Sequence, residues 1–513
     1  MIRTAGPRAL DAWPWLVAAA GVGALAVVQP LVAVAAVAAV AVVAAAFAAP
    51  AAAVGVTVVV VLFVRPIEHL VPIALLGYLD EGLVLLCGIV LPLRRLLAGR
   101  ALRAFPGQWW FAAFAAAGLL SGLFLDVPPE TYLLGAVVMC KGLVFAWAVA
   151  QVDWEERHLR VAARTGAALI IFCLLATAAN LALQGPWNAV MASDPNAIES
   201  RGFLPSLIGP FSHPIDLGQF MAFSAIALTA WRMTVRKGAF TLTLLLATAG
   251  AALLTARRTA IGSLVAAWLW LKAVGRSTGV LLAVAVTVPF AAVVLATPLA
   301  TVVTATYNDY ISPQAEPAAR TVLTVDSFGV AAGYFPGGAG FGRFGSAIAA
   351  STYSPEYFAR GYPDIWGLGR TAEDGRFLTD TEWPAIIGES GYLGAAAFLV
   401  GMILIYRASR RLYRHGATPL VRWIGLVAIG WTIASLVQSI ATVTFTGPPG
   451  FGLFFGMVGL VTGLSARNGA PEAGPRPQHT DRSMIVSAAP RRAAPQLARL
   501  DSGTAAGSSR GRT

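Results

Sequence analysis

The chain has 513 residues, 57% hydrophobic and only 12% charged, with a mean hydropathy of +0.70. That balance excludes a soluble globular domain, and uncharged stretches of about 17–22 residues match the length that crosses a hydrocarbon core. The net charge of +12 is gathered in short clusters between apolar stretches, so it sets topology, and no nucleic-acid partner is expected.

In chain order, Met1-Ile2-Arg3 precedes an apolar run over 12–28 that leads at once into another, so no cleavable signal peptide is expected. The Ala/Val tracts over 17–60 need be no more than lipid-exposed spans, and Arg65, Glu68 and His69 interrupt the region 51–80. Arg94, Arg95, Arg100 and Arg103 mark one cytoplasmic loop, Arg157, Arg160 and Arg164 a second, and Arg407, Arg410, Arg411 and Arg414 a third. Between them spans are predicted near 108–125, 131–151, 161–183, 216–231, 238–255, 259–274, 278–298, 386–406, 420–441 and 448–465. The fold class expected is an all-α polytopic membrane protein of about 12–14 helices with a large exterior loop as a cap. Its parts are an N-terminal bundle over 1–299, the loop over 300–385, C-terminal helices over 386–465 and a tail over 466–513. Cys87, Cys140 and Cys173 lie in apolar spans at unrelated spacings and read as small core residues.

Three segments fall on the exterior side. One is 184–215, with Arg201, Gly202, His213 and Pro214. The second is the tip holding Arg257 and Arg258, flanked by Arg232, Arg236 and Lys237 on one side and Lys272 and Arg276 on the other. If both flanks are cytoplasmic the tip faces outward, against the usual bias. Two guanidiniums there suit an anion such as a diphosphate, or they snorkel as loop arginines do. The third segment, 300–385, holds nine carboxylates and five arginines, with several tyrosines, Trp366 and Trp383. A structureless loop of that size is unusual, so short helices are expected in it. Aromatic faces beside carboxylates suit a sugar site, and equally any partly exposed fold.

The tail from Ala466 is rich in Ala, Pro, Gly, Ser and Arg, as disordered segments are, and is either a solubilising tail or one held on anionic lipids. Gly340-Phe-Gly342-Arg-Phe-Gly345 has the spacing of a dinucleotide fingerprint but follows no predicted strand. Its glycines suit a tight turn bringing Arg343 and backbone N–H groups to an anion or to the membrane face. The spans after residue 160 carry almost no ionisable residue away from their ends, Glu389 being the main exception. Transporters keep charges or broken helices near the midplane, so polar chemistry stacked at the exterior interface favours an enzyme on a lipid-linked substrate.

Several short motifs, in order over about 50–465, resemble the O-antigen polymerase and O-antigen ligase superfamily of bacterial membrane glycosyltransferases. Val61-Leu-Phe-Val-Arg-Pro66 is similar to its early apolar-Arg-Pro segment. Arg201-Gly202 followed by Gly209-Pro-Phe-Ser-His-Pro214 resembles its Arg-x-x-Gly and Phe-x-His-Pro-Asn stretch, with Asp216 replacing or shifting the Asn. Leu253-Leu-Thr-Ala-Arg-Arg-Thr-Ala260 is similar to Thr-x-Ser-Arg-x-Ala, with Arg258 at the family arginine and Arg257 where Ser is usual. Gly337-Gly-Ala-Gly-Phe-Gly-Arg-Phe344 and Asp380-Thr-Glu-Trp383 leading to Glu389-Ser-Gly-Tyr-Leu-Gly394 resemble the exterior loop and its re-entry helix.

The resemblance implies an inner-membrane enzyme with an exterior site, needing no metal and no cofactor. Its substrate is a polyprenyl-diphosphate-linked oligosaccharide, its surroundings are membrane lipids, and its partners are a chain-length regulator and a flippase. Arg258 and Arg201 then hold the diphosphate, with Arg257 adding to the clamp and losing less on substitution. In the ligase branch a His-Asn pair precedes the re-entry Glu; here Asp380 and Thr381 stand there, and 300–385 contains no histidine. That favours a polymerase of O-antigen, capsular or exopolysaccharide repeats over ligation to another acceptor, with an exporter or flippase the rival outside the class. Asp380 is the first candidate base, with Glu382 and Glu389 as alternates, each otherwise a capping or loop carboxylate. His213 either contacts diphosphate or acceptor sugar or caps the following helix. Arg343 and Trp383 are the remaining candidates for substrate contact.

Overall fold

A computed structural model of the chain describes residues 43–194, 198, 205–275, 319–371 and 373–468. It is helical throughout, with no strand among the described residues. The first group of helices is α1 (Pro50–Leu70), α2 (Leu79–Leu97), α3 (Gln108–Phe124), α4 (Pro129–Ala150), α5 (Glu156–Ala182) and the short α6 (Gln184–Met191). Then come α7 (Pro214–Thr234), α8 (Ala239–Leu254) and α9 (Arg258–Val274). The segment between 300 and 385 supplies α10 (Ala319–Gly333), α11 (Ala347–Thr352) and α12 (Pro355–Ala359); after them come α13 (Trp383–His415), α14 (Pro419–Gln438) and α15 (Gly450–Asn468). Proline in the first turn of α1, α4, α7, α13 and α14 fits positions whose N–H lacks an intrahelical partner anyway.

Seven helices (α1, α2, α4, α5, α13, α14 and α15) are long and apolar enough to cross a membrane, and the chain is a polytopic helical membrane protein. Helices α3 and α8 are apolar but shorter. Part of the expected 12–14 falls on 1–42 and 276–318, outside the described residues, as does the expected tail after Asn468. Helix α15 itself runs past the expected start of that tail at 466. Arg65, Glu68 and His69 do not break α1 but occupy its last two turns.

Helix α7 is buried along nearly its whole length and forms the centre of the bundle. Phe223 stacks on Trp431 of α14 at 5.0 Å, and the Trp431 indole N–H donates to the Phe223 carbonyl at 2.9 Å. In lipid such packing and buried hydrogen bonds, not exclusion of water, hold helices together.

The segment 319–378 has a core of its own, in which Phe344, Tyr357, Tyr362, Leu323 and Leu378 are buried together. Tyr357 stacks on Tyr362 at 5.2 Å. Beside it the Glu356 carboxylate accepts from Tyr334 at 2.7 Å, Arg343 at 2.8 Å and Arg360 at 2.9 Å. Burial alone would raise this carboxyl, but those three donors hold it below its ordinary range.

The glycine-rich loop docks this segment onto the helices. The N–H groups of Ala339 and Gly340 donate to the carbonyls of Gly388 and Glu389 at 2.8 and 3.0 Å. Helix α13 kinks there at Gly391, whose φ of +67° and ψ of −176° suit glycine alone, and a Cβ on it would lie 2.4 Å from the Pro336 carbonyl oxygen. Gly391→Ala is therefore expected to destabilise the fold by about 3 kcal/mol or more, measured as a fall in the thermal midpoint of the solubilised protein. An unchanged midpoint would show that the kink is not needed.

Candidate functional site

Four segments far apart in sequence meet at one place: the last turns of α1, the start of α7, the α8–α9 turn and the loop 439–449. On α7, His213, Asp216 and Gln219 recur every third residue, which puts them on one face of the first two turns. That polar stripe is also why 214–234, though long, is less apolar than its neighbours. Arg65 Nη1 of α1 donates to Asp216 Oδ1 at 2.6 Å, with the Asp216 side chain 2% exposed and that of Arg65 35%. A buried carboxylate thus aims a partly open guanidinium. A Cβ on Gly447 would lie 3.2 Å from Arg65 Nη2, and one on Gly450 2.7 Å from Gln219 Nε2, so the 439–449 loop rests on Arg65 and the start of α15 on Gln219.

The α8–α9 turn closes the other side. A Cβ on Gly218 would lie 2.9 Å from Ala260 Cβ and 3.0 Å from Thr255 Oγ1, and the Leu207 N–H donates to the Leu254 carbonyl at 3.1 Å. Arg257 is the N-cap of α9 and Arg258 its first residue, so both sit at the α8–α9 tip as the sequence places them. Asp216 Oδ2, Gln219 Nε2 and Thr444 Oγ1 are buried there without a hydrogen-bond partner among the described residues. Buried polar atoms normally find a partner, so the three mark polar capacity beside the arginines.

His213 caps α7: its Nδ1 accepts from the Ile215 N–H at 3.1 Å. Burial, and then the positive charges of Arg257 and Arg65, push its pKa down to about 3, so it is neutral at physiological pH. With Nδ1 accepting, its proton sits on Nε2, which makes it a donor and not a base. The unfolded chain takes up this proton near pH 6.5, whereas the folded chain takes it up only near 3. Stability is therefore full above about 6.5 and falls as pH drops towards 3, by about 1.4 kcal/mol per unit at most. His213→Asn keeps a capping side chain and is expected to remove one proton's worth of that slope, read from thermal midpoints between pH 7 and 4. An unchanged slope would place the titration elsewhere.

The carboxylates divide. Glu389 is fully buried, and its Oε1 accepts from the Phe344 N–H at 3.0 Å and from Ser346 Oγ at 2.6 Å, so it holds the glycine-rich loop. Glu382, 1% exposed, accepts from the Phe445 N–H at 2.9 Å and Thr446 Oγ1 at 2.8 Å, and so ties the 439–449 loop to α13. Asp380 is more open, with 23% of its side chain exposed, and both bonds from Arg320 converge on Oδ2. Trp383 donates its indole N–H to Ser439 Oγ at 3.1 Å, which fixes the same loop. Arg343 is paired with Glu356 and its loop's amides with helix carbonyls, so neither is turned towards the arginine site as an anion cradle. Arg201 lies outside the described residues.

Sequence reasoning gave Arg65 no role, although an arginine inside an apolar stretch is itself a signal. It also passed over a buried ion cluster nearby. Lys141 of α4 donates to Asp80 at 2.7 Å and Glu81 at 2.5 Å, and its ammonium lies 4.8 Å from the Phe451 ring centroid, one residue after Gly450. The arrangement can hold a doubly charged anion on fixed guanidiniums and give hydrogen bonds to hydroxyls beside it. No protein-family model matches this chain, and no curated protein matches its sequence.

Proposed function

We propose that the chain is a membrane glycan polymerase that transfers an oligosaccharide from its polyprenyl diphosphate to the terminal sugar of another lipid-linked repeat. The observation that carries the reading is the convergence of Arg65, Arg257 and Arg258 on the start of α7, with Asp216 aiming the first of them. In the reaction the acceptor hydroxyl oxygen attacks the anomeric carbon and the bond from that carbon to the diphosphate oxygen breaks. The diphosphate leaves with the electron pair, and the hydroxyl proton passes to a base. Fixed guanidiniums stabilise the charge growing on the diphosphate, and neutral His213 adds a donor. Asp380 is the candidate base of the three because its side chain is partly open, whereas Glu382 and Glu389 are enclosed.

One observation favours a second reading, a polysaccharide flippase or exporter: Lys141, Asp80 and Glu81 form a buried ion cluster within membrane-spanning helices, as transport sites do. Deletion of the gene separates the two. A polymerase leaves single-repeat glycans on the exterior face, whereas a flippase leaves lipid-linked repeats trapped inside. The direct assay is polymer length from purified lipid-linked repeats, and no polymer from an active preparation would end the first reading.

A further inference from the structure

A second site lies away from the arginine cluster. A cavity of about 1630 Å³ opens between α1, α5, α7 and α15. Its walls are apolar, with Val58, Ile170, Phe220 and Met457 among them. At one end stand seven arginines, from Arg94 on α2 to Arg164 on α5 and Arg236 after α7, against two carboxylates, Asp153 and Glu155. Those two are already engaged, Asp153 by Arg95 and Arg100 and Glu155 by Arg157. Arg164 and Arg236 are exposed and pair with no carboxylate among the described residues. The rim therefore carries surplus positive charge at the mouth of an apolar slot.

Depth and wall shape narrow the occupant. Along α1 the cavity runs from Pro50 to Leu62, about 18 Å at the helical rise. That is close to the half-thickness of a hydrocarbon core, about 15 Å, so the slot spans one leaflet. A Cβ on Gly55 or Gly166, which face each other's helices across this space, would meet nothing within 4 Å. We propose that the cavity binds an anionic phospholipid of the adjoining leaflet, its acyl chains between α1 and α5 and its phosphate on Arg164 and Arg236. By the positive-inside rule this is the cytoplasmic leaflet. A polyprenyl chain fits less well, because it is longer than the one leaflet the slot spans. The deep end, at Leu62, Phe220 and Leu453, lies within one helical turn of Arg65, Gln219 and Gly450. The lipid thus forms the floor beneath the arginine site, whatever reaction that site performs.

The test uses the full chain in nanodiscs of phosphatidylcholine, with and without phosphatidylglycerol, followed by delipidation and native mass spectrometry. The expected result is retention of about one phosphatidylglycerol per chain and no comparable retention of phosphatidylcholine. Arg164→Gln with Arg236→Gln is expected to lower that retention on the order of tenfold or more, since each arginine near the surface contributes measurably. Gly55→Phe with Gly166→Phe places rings in the slot from positions where a Cβ meets no protein atom, and is expected to abolish retention of either lipid. Equal retention of the two lipids, or wild-type retention in either double variant, overturns the proposal. So does a polyprenyl phosphate retained in place of the phospholipid. None of these readouts depends on glycan transfer.

Discussion

Arg258→Ala is expected to reduce polymer formation from lipid-linked repeats by a hundredfold to a thousandfold, roughly, with protein level and insertion unchanged. The magnitude follows from removing one fixed donor where negative charge develops. Arg258→Lys is expected to recover little, because an ammonium cannot reproduce the two parallel bonds of a guanidinium on phosphate. The sequence motif makes Arg257 a supernumerary residue whose loss is mild. We expect a larger loss, since Arg257 stands at the N-cap position of the same helix and its charge is felt at His213 together with that of Arg65. Arg257→Ala and Arg65→Ala are therefore each expected to cost about tenfold or more, mainly as weaker donor binding. Arg411→Ala, near the C-terminal end of α13 and away from the site, serves as the control and should retain activity. Full activity of Arg258→Ala at normal protein level would remove the phosphate assignment.

Asp380→Asn is expected to lower turnover about a hundredfold or more while lipid-linked donor still binds, because the amide keeps the shape but cannot take a proton. Its neighbours should behave differently. Glu382→Gln and Glu389→Gln disturb bonds to Phe445, Thr446, Phe344 and Ser346 that hold the 439–449 and glycine-rich loops. They are expected to lower the thermal midpoint by a few degrees, with activity per folded molecule largely kept. Normal turnover in Asp380→Asn with loss in Glu389→Gln would move the base to Glu389. If all three remain active, Asp216 Oδ2, buried beside Arg65, is the next group to replace.

The hydropathy of the sequence placed most helices within a few residues. The spans expected at 238–255 and 259–274 are α8 (Ala239–Leu254) and α9 (Arg258–Val274), and the tip between them is the turn that carries Arg257 and Arg258. This was legible because a span is a local property: an uncharged run of sufficient length must form its backbone hydrogen bonds within itself once in lipid. The short helices between 300 and 385 were legible for a similar reason, since so long a segment rarely stays structureless. What the sequence could not supply was which polar residue meets which. Arg65 and Asp216 are 151 residues apart, Lys141 and Asp80 are 61 apart, and Phe344 and Glu389 are 45 apart. An apolar surrounding requires each buried charge to find a partner but does not name it, and several carboxylates stood at plausible places. Only the packing of α1 and the 439–449 loop against α7 gave Arg65 its position. Only the docking of the glycine-rich loop on α13 showed that Glu389 accepts from Phe344 and Ser346.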